Sequence, residues 1–124
     1  FITWGNNNPD WDGILTDSAI ARMGVLAIDH YPQDIASMSG DLVELREKYP
    51  TVPLVISEWA AIHANTDQER IDRIQTAMEA FSADPGIFAV NYWSFGPGTG
   101  KEMLLNKDFT ERPGFDTLKS FFLP

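Results

Sequence analysis

The chain has 124 residues, which suits a single domain and is long enough to bury a core without staples. Eighteen acidic residues against nine basic ones give a formal net charge of −9, a balance that repels phosphate backbones and anionic bilayers and so excludes nucleic acid and membrane surfaces as expected partners. There is no cysteine, so disulfides and thiolate metal sites are ruled out while the compartment stays open; secretion is compatible with the composition.

Four strand-then-helix units can be marked off in chain order. The first strand is Phe1-Ile2-Thr3-Trp4, followed by a polar loop over residues 5–12 that contains the turn formers Asn6-Asn7-Asn8-Pro9-Asp10. A helix is expected over residues 14–23, with Gly24 as its stop. Residues 25–29 form a short apolar run of the kind that makes a buried parallel strand, and His30-Tyr31-Pro32 ends it. Leu42, Leu45 and Tyr49 recur at helical spacing over residues 41–49, and Pro50 terminates that helix. The third strand is Pro53-Leu54-Val55-Ile56-Ser57-Glu58-Trp59. Thr66 then stands as an N-cap with Glu69 three residues on, opening a helix whose apolar stripe is Ile71, Ile74, Met78 and Phe81 and whose end is Asp84-Pro85-Gly86. Residues 87–95 form the fourth strand, residues 96–100 a Gly/Pro-rich loop, and residues 114–122 the last helix. Strands alternating with helices predict right-handed βαβ units and a parallel sheet, in one domain covering residues 1–124. The chain opens on Phe1 rather than Met, so the numbering is expected to begin inside a longer gene.

In every unit the polar and aromatic residues gather at the C-terminal end of the strand, the edge at which parallel α/β folds bind ligands. Glu58 is the sharpest of them. It follows an apolar run that would bury it, so its carboxylate must be paired, hydrogen-bonded or at the strand mouth. It reads either as a structural carboxylate held by an Arg or Lys, or as a functional one. Tyr31 either fills space beneath a loop or donates its phenol to Glu58. Trp4, Trp59 and Trp93 read as core or as flat faces for sugar rings, with His30 and Asn91 suited to hydroxyl groups. His30, His63, Asp29 and Glu58 show neither His-x-His nor His-Glu-x-x-His spacing, so no metal is expected. Gly96-Pro97-Gly98-Thr99-Gly100 lacks the Lys-Ser/Thr of a phosphate loop, and no cofactor is expected.

Four segments together carry a family resemblance. Leu54-Val55-Ile56-Ser57-Glu58-Trp59 resembles the seventh-strand motif of the retaining (β/α)8-barrel glycoside hydrolases, the clan of cellulases, mannanases and β-galactosidases. Ile28-Asp29-His30-Tyr31-Pro32 resembles its sixth-strand motif, and Asn91-Tyr92-Trp93-Ser94-Phe95 its eighth. The ending, residues 105–113 followed by Leu118 and Phe121, is similar to the clan's approach to its last helix. The resemblance runs from about Val25 to the C-terminus. It implies that Glu58 is the catalytic nucleophile, that Tyr31 orients it, that Trp93 floors the subsite of the cleaved sugar, and that the substrate is a β-linked glycan. His30, Trp59, Asn91 and Trp4 are the further expected substrate contacts.

The departure from the pattern is as informative. The clan's acid/base Glu follows an Asn on strand four, whereas this chain opens at what would be strand five and contains no Asn-Glu dipeptide. Retaining hydrolysis needs two carboxylates about 5–5.5 Å apart. The expected fold is therefore a (βα)4 half of a TIM barrel, completed to eight strands by homodimerisation. Two alternatives stay open: a non-catalytic sugar-binding or structural half-barrel, and a flavodoxin-like open sheet.

Overall fold

The computed structural model describes residues 2–4 and 16–123. Among these residues four strands alternate with four helices. These are β1 (Ile2–Trp4), α1 (Asp17–Met23), β2 (Leu26–His30), α2 (Ser37–Lys48), β3 (Leu54–Trp59), α3 (Asp67–Ala83), β4 (Ile87–Tyr92) and α4 (Phe115–Ser120). The expected polar loop after Trp4, and the first residues of the expected helix from residue 14, lie outside the described residues.

All four strands are parallel and lie in the order β1-β2-β3-β4. That order separates the two α/β alternatives. A flavodoxin-like sheet reverses direction partway, in the order 2-1-3-4-5. Here each strand adds to the same side of its predecessor, so right-handed crossovers put every helix on one face, as in a barrel wall. The packing agrees. One apolar cluster joins Ile20 of α1, Met38, Leu42 and Leu45 of α2, and Ile74, Ala77, Met78 and Phe81 of α3 to Leu26, Ile28, Leu54, Ile56 and Trp59 of the sheet. Leu118 of α4 completes it. Ala27, Val55 and Ala89, which alternate with these positions, are only half-buried.

The helix ends follow from their sequences. Gly24 adopts φ +72° and donates to the Ile20 carbonyl, closing α1 in the left-handed conformation that glycine alone takes without cost. Thr66 Oγ1 accepts from the Glu69 N–H at 3.1 Å, and the Glu69 carboxylate reaches back to the Asn65 N–H at 2.6 Å. That second bond lands one residue before the usual target of a capping box. The Asn65 N–H in turn holds the Glu69 carboxyl below its ordinary range. The second helix begins at Ser37, four residues earlier than periodicity indicated, because residues 37–40 form a first turn with few apolar positions to mark it. Among the described residues no helix is long and apolar enough to cross a membrane.

Candidate functional site

The C-terminal ends of β2, β3 and β4 meet at one mouth, and the geometry there turns on a local irregularity in β3. Ile28 pairs with Ile56, but the next residue, Asp29, pairs with Glu58. On the other side Ile56 pairs with Val90 and Trp59 with Tyr92. Against both neighbours, β3 therefore carries one extra residue within 57–58, which is a β-bulge. In a regular strand Glu58 would share the face of Leu54 and Ile56, both fully buried under the helices. The bulge breaks the alternation. Trp59 joins Leu54 and Ile56 on the helix face, and Glu58 is released to the opposite side with Ser57.

The released carboxylate meets Tyr31. The phenol of Tyr31 donates to Glu58 Oε2 at 3.0 Å, across 27 residues of sequence. Beside it, Ser57 Oγ donates to Asp29 Oδ1 at 2.7 Å, with Asp29 and Ser57 each 8% exposed. Burial, and then the hydrogen bond to the Glu58 carboxylate, push the Tyr31 phenol well above its ordinary pKa, with the charges of Glu58, Asp29 and Glu102 adding to the shift. The phenol is thus held as a donor at any ordinary pH.

Of the residues expected at the site, the structure brings Glu58 and Tyr31 together and places Asn91 and Trp93, both exposed, on the neighbouring strand end. Trp93 is 54% exposed, its N–H bonded to the Trp59 carbonyl at 2.7 Å, and the Trp93–Ser94 peptide is cis. Trp59 goes elsewhere. Its ring is 1% exposed and packs edge-on against Phe81 at 5.7 Å and Tyr92 at 5.2 Å, in the layer between sheet and helix. The sequence places it at the mouth because it follows Glu58, but the bulge shifts the alternation so that Trp59, and not Glu58, faces the helices. His30 is likewise buried, with Nε2 3.2 Å from Asp41 Oδ2 of α2, since it alternates with Asp29 and Tyr31 and so faces the helices. Trp4 ends β1 with its backbone opposite His30, and its side chain lies outside the described residues.

Two residues that the sequence did not single out take part. Ser57 is one; a lone Ser inside an apolar strand carries no signal until its partner is known. Glu102 is the other. It is half-buried on the loop after β4, and its charge bears on the phenols of both Tyr31 and Tyr92. That loop is fastened by Arg112, which donates to the Gly100 and Met103 carbonyls, and by Lys101 Nζ at 3.2 Å from Asn65 Oδ1 on the loop after β3.

No protein-family model matches the chain, and no curated protein does so either. Solved structures do match in fold. A Bifidobacterium dentium β-glucuronidase superposes with a TM-score of 0.65 at 13% identity, covering 82% of this chain and 21% of its own. A GH128 (subgroup V) exo-β-1,3-glucanase from Cryptococcus neoformans gives 0.65 at 11% identity, covering 94% and 52%. A GH5-4 broad specificity endoglucanase from Clostridium cellulovorans gives 0.57 at 17%, covering 80% and 36%. The chain has an α/β fold whose parallel sheet matches part of these TIM-barrel glycoside hydrolases. It spans between about a fifth and a half of their lengths. At these identities the likeness is one of fold.

Proposed function

We propose that this chain is the strand-five-to-eight half of a retaining (β/α)8-barrel glycoside hydrolase, in which Glu58 attacks the anomeric carbon of a β-linked glycan. The observation that carries this reading is the 3.0 Å hydrogen bond from Tyr31 to Glu58 at the strand mouth. A nucleophilic carboxylate must be ionised and aimed. The Tyr31 phenol supports the aim, because it donates to one Glu58 oxygen and fixes its place. In the first step the Glu58 oxygen forms a bond to the anomeric carbon while the bond to the leaving oxygen breaks, giving a glycosyl ester. Exposed Trp93 offers a flat face to the sugar ring and Asn91 a hydroxyl partner. Trp59 and His30, turned to the helices, are left out of this reading.

The acid/base that protonates a poor leaving group is not supplied by a clan-like Asn-Glu in this chain. A second copy of the chain related by a two-fold axis is the proposed closure; it brings no Asn-Glu either, so its own Glu58 would be the second carboxylate facing the mouth. The open β4 edge and the exposed Phe88 and Trp93 favour such a partner. Light scattering on a sizing column reads the pairing, and a monomer at all concentrations would sink it.

The nucleophile can be tested without the acid/base. Dinitrophenyl glycosides bearing fluorine next to the anomeric carbon have a leaving group that departs unprotonated, and the fluorine slows release of the glycosyl ester. Intact-mass measurement should show one sugar added to the chain and peptide mapping should place it on Glu58. The Glu58→Gln variant should add none. Saturable sugar binding with no covalent adduct would instead favour a non-catalytic sugar-binding half-barrel, the second reading, which the exposure of Trp93 also supports.

A further inference from the structure

A further carboxylate stands at the mouth with its bonding capacity unused. Glu102 lies on the loop after β4 and is half-buried. Among the described residues no hydrogen bond or ion pair engages its oxygens. Its neighbours nevertheless fix its place. Arg112 Nη1 donates to the Gly100 carbonyl at 2.6 Å and to the Met103 carbonyl at 3.2 Å, on either side of it. The Leu104 N–H donates to the Ser94 carbonyl at 3.3 Å, which ties the turn to the residue after Trp93. The Glu102 carboxylate folds back over Gly100, where any Cβ would collide with it. Gly100 has no positive φ, so its missing side chain serves space and not backbone conformation.

Charge shows which groups Glu102 faces. Glu58, Asp29 and Glu102 lead the charges that act on the Tyr31 phenol, and all three are negative. The basic side chains of the same loop are engaged elsewhere, Arg112 on backbone carbonyls and Lys101 Nζ at 3.2 Å from Asn65 Oδ1. The segments after β1 and β2, residues 5–16 and 31–36, add Asp10, Asp12 and Asp34 and no Lys, Arg or His.

We propose that Glu102 is a specificity-determining residue of the sugar site: its carboxylate accepts hydroxyl groups of the ring lying against Trp93 and selects neutral glycans over those bearing a uronic acid. The proposal rests on the reading of this mouth as a glycan site. Sugar hydroxyls are donors, and their bonds to a carboxylate are stronger than those to a neutral oxygen. A uronic acid brings one more negative charge to a mouth that already carries three, and like charges oppose each other most where water is partly excluded.

The test uses the full chain and matched pairs of probes, glucoside with glucuronide and galactoside with galacturonide. Fluorinated dinitrophenyl glycosides report labelling of Glu58, and the methyl glycosides report binding through the NMR signal of the Trp93 indole. In at least one series the neutral member should label faster and bind tighter by about tenfold or more. Glu102→Gln keeps the size, removes the charge and should bring that ratio close to one. Gly100→Ala removes no charge, but its Cβ displaces the carboxylate, so it should weaken binding of the neutral probe. Glu111→Gln removes an exposed acid from the same loop and should leave the ratio as it is. A ratio unchanged in Glu102→Gln, or lost equally in Glu111→Gln, overturns the proposal. So does neutral binding unaffected by Gly100→Ala, or a native chain that binds both members of each pair alike or neither. If titration shows a preference that depends on Glu102 but no probe labels Glu58, the specificity residue stands and the nucleophile reading fails.

Discussion

At the helix-to-strand edge of the sheet, Arg46 and Asp84 use up each other's bonding capacity. Arg46 Nε and Nη2 donate to the two Asp84 oxygens at 2.6 and 3.0 Å, Nη1 donates to the Val52 carbonyl at 2.6 Å, and the Gly86 N–H closes on Asp84 at 2.8 Å. At the opposite edge Glu58 has Tyr31 as its one hydrogen-bond partner among the described residues. Both carboxylates sit at strand ends and both are shielded in part. One is saturated by a planar guanidinium and backbone, which makes it a staple between α2 and the turn into β4. The other is held by a single phenol with exposed Asn91 and Trp93 nearby, which leaves it able to act on something outside the chain. Saturation, more than burial, separates the structural carboxylate from the candidate catalytic one.

Variants at the two edges should therefore fail in different ways. The largest effect belongs to Glu58→Gln, which should lower labelling by at least about 10³-fold while leaving the urea midpoint nearly unchanged. A large stability loss in that variant would instead make Glu58 a second staple. Arg46→Met should do the reverse. It strands the Asp84 carboxylate and should cost about 2–4 kcal/mol in urea denaturation, with labelling of the folded protein unaffected.

The same ion pair gives a pH dependence of known sign. Burial raises the Asp84 carboxyl, but the Arg46 guanidinium and the Gly86 N–H outweigh it and hold it below its ordinary value. A carboxylate depressed in the folded state adds stability above its unfolded pKa and loses it as pH falls through the folded one. Acid titration of stability should therefore show a component on the acid side of the ordinary carboxylate range that is absent in Arg46→Met.

Tyr31→Phe is next in size. It removes one donor to Glu58 and should slow labelling about tenfold, with stability changed by less than about 1 kcal/mol. An unchanged rate would detach Tyr31 from the site. The smallest effect is expected of Thr66→Ala, which removes the N-cap of α3 and should cost about 1 kcal/mol of stability with no change in labelling. It belongs to neither edge and calibrates what a purely local loss looks like.

The sequence by itself determined the order and type of the elements, the parallel sheet, and the concentration of polar residues at one edge. Those features rest on local periodicity, on capping residues such as Thr66 and Gly24, and on the alternation of short apolar runs with amphipathic helices. It also identified Glu58 and Tyr31 as a pair worth testing. What it misplaced were residues adjacent to them, and for a single reason. Trp59 and His30 were assigned to the mouth by nearness in sequence, whereas strand alternation and the bulge in β3 send their side chains to the helix layer. A bulge is decided by pairing on both sides of a strand, here with Trp59 finding Phe81 and Tyr92, contacts separated by 22 and 33 positions. No window along β3 contains that information. The strand order that excludes a flavodoxin-like sheet is also a property of how the units stack, since four βα repeats are compatible with either arrangement until the sheet is built.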